Sequence, residues 1–206
     1  MEIIKNPTEI EEKSMKIIRP YVENIFKTEA EIKVASRIIH AAGDVDYAKI
    51  IHIHLEAIEA AKNALKNGKN IYTDVEMVRT GINKKKLADF GGKVFCKIAD
   101  TDVANNAKKF NITRSMAAIR EFGKDLNGSI VAIGNAPTAL FEVLRLIEEE
   151  NILPAVIIGI PVGFVGAAES KAALMKNEKV PFITVEGTKG GSPIAVAAFN
   201  AILYQI

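Results

Sequence analysis

The chain has 206 residues, of which 49% are hydrophobic and 25% charged, with a formal net charge of +2. This length suits one α/β domain with a substantial core and is short for two, so we expect a single domain over residues 1–206. The small net charge argues against a nucleic-acid surface, and no apolar run reaches the roughly 18 residues of a membrane span. The single cysteine, Cys96, excludes an internal disulfide and favours a cytoplasmic protein.

Helix signals open the chain. Asn6-Pro7 predicts the start of a helix whose apolar stripe faces the core. The stripe comprises Ile10, Ile17, Ile18, Tyr21, Val22, Ile25 and Phe26. Ser14 falls on the same stripe, where a hydroxyl either bonds back to its own helical turn or faces a ligand, and the spacing favours the first.

A capping box at Thr28-Glu-Ala-Glu31 predicts a second helix that ends near Ala42. A third helix is predicted from about Tyr47 to Asn67. His52 and His54 would point to different faces of that helix, which argues against a metal pair, and no Cys/His cluster indicates a metal site elsewhere.

The middle of the chain predicts short elements. Strands are expected at 70–73 and 94–98, with helical turns near 75–80 and 83–89. Helices are expected at 103–110 and at 114–126, the second capped by Thr113.

The second half runs three times from an apolar strand through a loop of small residues into a helix. The strands begin near Val131, Val156 and Phe182. Buried β-branched runs that each lead into a helix indicate a parallel sheet with helical crossovers. We therefore predict an α/β, three-layer Rossmann-like domain with a mainly parallel sheet flanked by helices. Ligands bind beyond the carboxyl ends of such strands, so the three loops should converge on one pocket.

The second helix carries the most suggestive polar group. Arg37, His40 and Asp44 have spacings that predict one shared helical face. A histidine can donate or accept a proton near neutral pH, because its ordinary pKa lies close to that range and neighbouring charges shift it. The alternative is a solvated polar surface, and the spacing alone leaves both open.

Two glycine-containing loops predict anion binding. Residues 134–138 and 187–192 would expose backbone N–H groups at helix N-termini, which suits carboxylates or phosphates. Arg114 and Ser115 start another helix, and an arginine can bind a carboxylate bidentately. The Gly-x-Gly-x-x-Gly, P-loop and Gly-x-Ser-x-Gly motifs are all absent, so a ligand with many carboxylates fits better than a nucleotide.

Six segments together resemble the precorrin-8X methylmutase family, and specifically its cobalt-precorrin-8 branch. They are SRIIHAAGD (36–44), TDVEMVRTGI (73–82), NITRS (111–115), IGNAPTAL (133–140), PVGFVGAAESK (161–171) and KGGS (189–192). They occur in this order over nearly the whole chain, and segment 161–171 is highly specific.

The resemblance implies an isomerase of cobalamin biosynthesis. In that family a methyl group moves from C-11 to C-12 of the tetrapyrrole, giving cobyrinate or hydrogenobyrinate. The resemblance further implies a homodimer without a separate cofactor, in which any cobalt belongs to the substrate. Substrate hand-over between neighbouring pathway enzymes is a related expectation.

The resemblance also assigns roles to residues. His40 would protonate the macrocycle and trigger a formal [1,5]-sigmatropic shift. Substrate contacts would come from Ser14, Arg37, Asp74, Met77, Arg114, Ser115, Gly134, Asn135, Thr138, Gly163, Phe164, Lys189 and Gly190. Two other functions compete: a non-catalytic tetrapyrrole carrier with the same pocket, and a sugar-phosphate or nucleotide enzyme on a similar sheet.

Overall fold

Six short segments rich in β-branched residues form one sheet in the computed structural model, which describes residues 3–206. The strands are β1 (Ile51–Ile53), β2 (Ile71–Thr73), β3 (Val94–Cys96), β4 (Ile130–Ile133), β5 (Val156–Gly159) and β6 (Phe182–Val185). Their order across the sheet is β1-β6-β5-β4-β2-β3. Only β1 runs antiparallel to its neighbour, so the predicted mainly parallel sheet is confirmed.

Ten helices surround the sheet within the described range. They are α1 (Pro7–Val22), α2 (Glu29–Ala42), α3 (Ala57–Lys66), α4 (Glu76–Gly81), α5 (Lys84–Ala88), α6 (Thr101–Lys109), α7 (Arg114–Phe122), α8 (Pro137–Glu150), α9 (Ala167–Met175) and α10 (Ser192–Leu203), with 3-10 turns at Val45–Lys49 and Gly123–Leu126. The capping box at Thr28 and Glu31 forms as predicted, and Thr113 caps α7. Between residues 3 and 206 no helix is both long and apolar enough to cross a bilayer.

The sheet is covered on both faces, which makes three layers. Alternate residues of a strand point to opposite faces. Accordingly, Ile130 and Ala132 pack in one apolar cluster with α2, α3, α4 and α10, whereas Val131 and Ile133 pack in a second cluster with α7, α8 and α9. The predicted three-layer arrangement is confirmed.

The predicted third helix is wrong in its first half. Residues 45–49 form a 3-10 turn, β1 follows, and α3 begins only at Ala57. Ile51 and Ile53 alternate with His52 in the pattern of a strand, and this short segment pairs with β6. His52 therefore lies in a strand, and His54 follows it with its ring centroid 5.7 Å from that of Phe182.

The apolar stripe of α1 also differs from the prediction. Ile18 and Val22 are buried, but Ile10, Ile17, Tyr21 and Ile25 are each about half exposed. The reason is that α1 lies outside the helical layer and packs mainly on α2, so one side of the stripe has no covering element. An apolar face without a cover is typical of an interaction surface.

Candidate active site

The loops that follow β4, β5 and β6 meet at the carboxyl ends of these parallel strands, as predicted. The Gly163 N–H donates to the Thr188 carbonyl (3.1 Å), and the Gly191 N–H donates to the Ile160 carbonyl (2.9 Å). These two bonds join the β5–α9 loop (160–166) to the β6–α10 loop (186–191).

Two glycines allow the loops to approach this closely. A Cβ atom on Gly134 would lie 2.7 Å from the Cα of Ser192, at the start of α10. A Cβ atom on Gly190, whose φ is +150°, would lie 2.7 Å from the carbonyl oxygens of Ile160 and Pro161. Only glycine fits where backbone meets backbone at such distances.

We expect Gly134→Ala to lower the free energy of unfolding by about 1–3 kcal/mol, because the added methyl group forces the backbone of α10 to move. Urea unfolding measures the change. Gly159→Ala is the matched control, since its Cβ would meet only the flexible methyl ends of Leu174 and Leu140. Equal losses in both variants would contradict the proposed backbone contact.

Asp74 binds the backbone of the β4–α8 loop (134–136). Its side chain is fully buried, and its carboxylate accepts hydrogen bonds from the backbone N–H groups of Gly134 (2.9 Å), Asn135 (2.9 Å) and Ala136 (2.7 Å). Burial raises the pKa of Asp74, while the three N–H donors oppose that rise. The structure thus gives Asp74 a supporting position rather than the exposed one that a substrate contact needs. The N–H groups predicted to bind a ligand are already satisfied by Asp74.

The N-termini of α7 and α8 lie side by side. The hydroxyl groups of Thr113 and Thr138 share a hydrogen bond of 2.9 Å, which links the two helix starts. Next to this link, Arg114 is exposed and Ser115 is half-buried. Within residues 3–206 no ion pair engages the Arg114 guanidinium, so it is available to an anionic ligand.

His40 lies in the last turn of α2 with its side chain exposed. The predicted polar face is not assembled around it, because α2 ends at Ala42 and Gly43 turns the chain with a φ of +64°. Arg37 instead pairs with Glu11 of α1. Asp44 caps the following 3-10 turn and pairs with Lys189.

The Asp44–Lys189 pair joins the end of α2 to the β6–α10 loop. The ammonium of Lys189 lowers the pKa of Asp44, and the carboxylate raises the pKa of Lys189 in return. The Lys189 Nζ also lies 5.2 Å from the centre of the Tyr47 ring. The positive charge that was predicted for a substrate carboxylate is therefore partnered within the chain.

Two recesses lie on the helical side of the molecule. The larger, about 740 Å³, is bounded by α1, α2 and the C-terminal part of α10, and Arg37 is in its wall. The smaller, about 280 Å³, is lined by Arg37, His40, Ala41, Ala197, Asn200, Ala201 and Tyr204. No residue of the three loops lines either recess, so neither recess is the pocket predicted between the loops.

The remaining predicted contacts are distributed over the surface. Ser14 donates its hydroxyl to the Ile10 carbonyl (2.8 Å), which confirms the back-bonded alternative. Met77 is exposed on α4. Phe164 is 94% exposed and Val165 is 90% exposed, at the tip of the β5–α9 loop. Such exposed apolar side chains suit contact with a flat apolar ligand or with another protein.

Two buried charged residues were not singled out from the sequence. Lys171 of α9 is fully buried and donates a hydrogen bond to the Lys189 carbonyl, and burial lowers its pKa to about 8. Glu142 of α8 is buried and accepts bonds from Arg120 and Arg145. Burial opposes ionisation of Glu142, but the two guanidiniums lower its pKa overall. The i,i+3 spacing of Glu142 and Arg145 on α8 is a signal that could have predicted their pairing, whereas no spacing predicts the contact of Glu142 with Arg120 or that of Lys171 with the Lys189 carbonyl.

A metal site is not formed by the described residues. Between residues 3 and 206 no three side chains of His, Cys, Asp or Glu are grouped as they would be around a metal ion.

This arrangement, with loops converging beyond the carboxyl ends of parallel strands, is that of an α/β enzyme. Residues 9–205 match the model of the family described as precorrin-8X methylmutase. The chain is 45% identical to the cobalt-precorrin-8 methylmutase of Leptospira interrogans, with 94% of this chain and 91% of that protein covered. It is 43% identical to the protein of the same name from Methanocaldococcus jannaschii, with 98% and 95% covered.

Solved structures agree with these matches. A precorrin-8X methylmutase from Thermus thermophilus superposes with a TM-score of 0.83 at 35% identity, covering 95% of this chain and 96% of that one. A precorrin-8X methylmutase related protein gives a TM-score of 0.86 at 35% identity, covering 94% and 100%. The chain belongs to the precorrin-8X methylmutase family. It is an isomerase of cobalamin biosynthesis that shifts a methyl group within one molecule, which favours the enzyme over the carrier.

Proposed function

We propose that this chain, acting as one methylmutase domain, moves a methyl group from C-11 to C-12 of cobalt-precorrin-8 to give cobyrinate, with His40 as the proton donor. The observation that carries the proposal is the exposed His40 imidazole in the wall of a recess, next to Arg37. The names of the relatives in Leptospira interrogans and Methanocaldococcus jannaschii favour the cobalt-containing substrate over metal-free precorrin-8X.

The chemistry assigned to His40 is the transfer of one proton to the macrocycle. Protonation withdraws electron density from the ring and weakens the bond to the migrating methyl group, which then moves by a formal [1,5]-sigmatropic shift. The ring afterwards loses one proton, so that product and substrate have the same composition. A general acid must come within hydrogen-bond reach of the atom that it protonates, and an exposed imidazole in the wall of a recess is open to such an approach by the ring. The protein otherwise holds the ring in one orientation, so that a single atom receives the proton.

We assign binding of the tetrapyrrole's carboxylate side chains to cationic and hydroxyl side chains of the protein that are spread over its surface. Arg114 has an exposed guanidinium, and Ser115 adds a hydroxyl beside it. A guanidinium binds a carboxylate through two parallel N–H donors. Arg37 and Lys189 are partnered by Glu11 and Asp44, so each would bind a substrate arm only in exchange for, or together with, its internal carboxylate.

We also infer a homodimer. The exposed apolar side chains of Ile10, Ile17 and Tyr21 on α1, and of Ile25 in the turn that follows it, are the support for this inference. Exposed apolar side chains at this density on one helix favour burial against another protein surface. In a dimer, the loops of one subunit and the α2 recess of the other would be free to form one site.

The enzyme is further proposed to need no separate cofactor, because a proton donor and a binding surface suffice for the shift. Any cobalt enters as part of the substrate. A single cysteine favours the reducing cytoplasm. The exposed loop tip with Phe164 and Val165 would suit hand-over of the ring to a neighbouring pathway enzyme.

Dialysis against a chelator followed by turnover assays tests the proposal. We expect the dialysed protein to convert cobalt-precorrin-8 over many cycles without any addition, and to convert metal-free precorrin-8X more slowly. Absorbance spectra and the NMR signal of the C-12 methyl group follow the product. Stoichiometric binding without conversion would identify a carrier, and conversion only after a cofactor is restored would refute the cofactor-free mechanism.

A further inference from the structure

Lys171 is an unusual residue for the interior of a protein. Its side chain is fully buried on α9, and within residues 3–206 no carboxylate pairs with its ammonium. The polar partner found for its Nζ is the backbone carbonyl of Lys189. A buried charge without a counter-ion opposes folding, so the stability of the fold does not explain this lysine.

The Lys189 carbonyl belongs to a loop that packs closely against the β5–α9 loop. The next residue, Gly190, has a φ of +150°, and any Cβ there would lie 2.7 Å from the carbonyl oxygens of Ile160 and Pro161. The β6–α10 loop is therefore held against the β5–α9 loop on one side. On the side that faces the interior, the Lys171 ammonium donates a hydrogen bond to the carbonyl of the peptide group between Lys189 and Gly190.

The side chain of Lys189 continues this chain of contacts to α2. Its ammonium pairs with Asp44 and lies 5.2 Å from the centre of the Tyr47 ring. Asp44 in turn accepts the Asp46 N–H (2.9 Å) and caps the 3-10 turn that directly follows α2. His40 lies in the last turn of that helix.

We propose that Lys171 is a positioning residue for the methyl shift. Its ammonium fixes the Lys189 carbonyl, and the ion pair of Lys189 with Asp44 then fixes the end of α2, which carries His40. An ammonium makes a stronger, shorter bond to a carbonyl than a neutral donor does, which explains a lysine at this place. A buried residue that lowers stability is typical of a functional site. The inference rests on the proposed role of His40.

Lys171→Met tests the inference, because methionine has a similar length but neither charge nor donor. We expect kcat to fall by about 10²-fold, since a small misplacement of a proton donor has effects of that size. The melting temperature should stay level or rise, because the buried charge is removed. Lys171→Gln, which retains an N–H donor, should recover part of kcat. Lys176→Met is the control, as Lys176 is an exposed lysine at the end of the same helix.

The pH dependence of stability identifies the charge itself. Because burial lowers the pKa of Lys171 to about 8 from 10.5, the folded protein loses this proton at lower pH than the unfolded chain does. At a pH between these two pKa values the unfolded state binds more protons than the folded state, so the free energy of unfolding rises with pH. The melting temperature of the wild type relative to Lys171→Met should therefore increase from pH 8 to 10.5. No such increase would show that the ammonium is not buried as described.

A double-mutant cycle separates positioning from general packing. If Lys171 acts through Lys189, then Lys171→Met should lower kcat much less in a Lys189→Met background than in the wild type. Fully independent effects, or a loss of kcat that follows a loss of melting temperature, would overturn the inference. The role of His40 is judged separately from turnover of a His40 variant with Lys171 intact, so the two failures are distinguishable.

Discussion

Replacing His40 by alanine is expected to lower turnover by about 10²–10⁴-fold, the range that removal of a general acid produces. The imidazole is exposed in the last turn of α2, so its loss creates no cavity in the core. The free energy of unfolding should therefore change little. Steady-state turnover of cobalt-precorrin-8 measures the first effect, and urea unfolding measures the second.

Product binding distinguishes a proton donor from a binding residue. Cobyrinate should bind to the His40→Ala variant nearly as tightly as to the wild type, since most contacts to the ring and its arms are unchanged. His52→Ala is the matched control, because His52 is a partly exposed histidine on strand β1 that lines neither recess and should support normal turnover. Undiminished turnover in His40→Ala would remove His40 from the mechanism.

Replacing Asp74 by asparagine is expected to lower the free energy of unfolding by about 3 kcal/mol or more. The three backbone donors of residues 134–136 need acceptors on both carboxylate oxygens. An amide supplies one oxygen, and its NH₂ group then faces a backbone N–H across a buried gap. Two donors held in contact at a fully buried position account for the size of the effect.

Denaturant unfolding of Asp74→Asn beside Asp125→Asn provides the measurement. Asp125 is exposed, so its substitution should change stability by no more than about 0.5 kcal/mol. We also expect turnover of Asp74→Asn to fall at temperatures where it remains folded, because the loop after β4 loses its support. An Asp74→Asn variant as stable as the wild type would contradict the described set of hydrogen bonds.

The parallel sheet was predictable because the apolar strand patterns and the helices that follow them indicate the same fold. The apolar runs that begin near Val131, Val156 and Phe182 are each buried on both sides and lead into helices, so a parallel sheet was evident from the sequence. The short strand β1 was missed because three residues between two helical segments carry little periodicity. Its pairing partner, β6, lies more than a hundred residues further along the chain.

The candidate site was predictable only in part. His40 and Arg37 were identified from their helical spacing and from a family resemblance, and both line the same recess. The role of Asp74 was not predictable, because its hydrogen-bond partners lie about 60 residues away and are brought near by the pairing of β2 with β4. Lys171 was missed for a similar reason, since its burial depends on how α9 packs against the β6–α10 loop.

The two strands that bound the sheet, β1 and β3, are each only three residues long. Edge strands this short have few free backbone N–H and C=O groups, so another polypeptide would form few hydrogen bonds by adding to the sheet. The sheet therefore resists aggregation through backbone pairing, even though most of its strands are strongly apolar. Any contact with another polypeptide is correspondingly left to helices and loops, where side chains rather than the main chain determine which surfaces match.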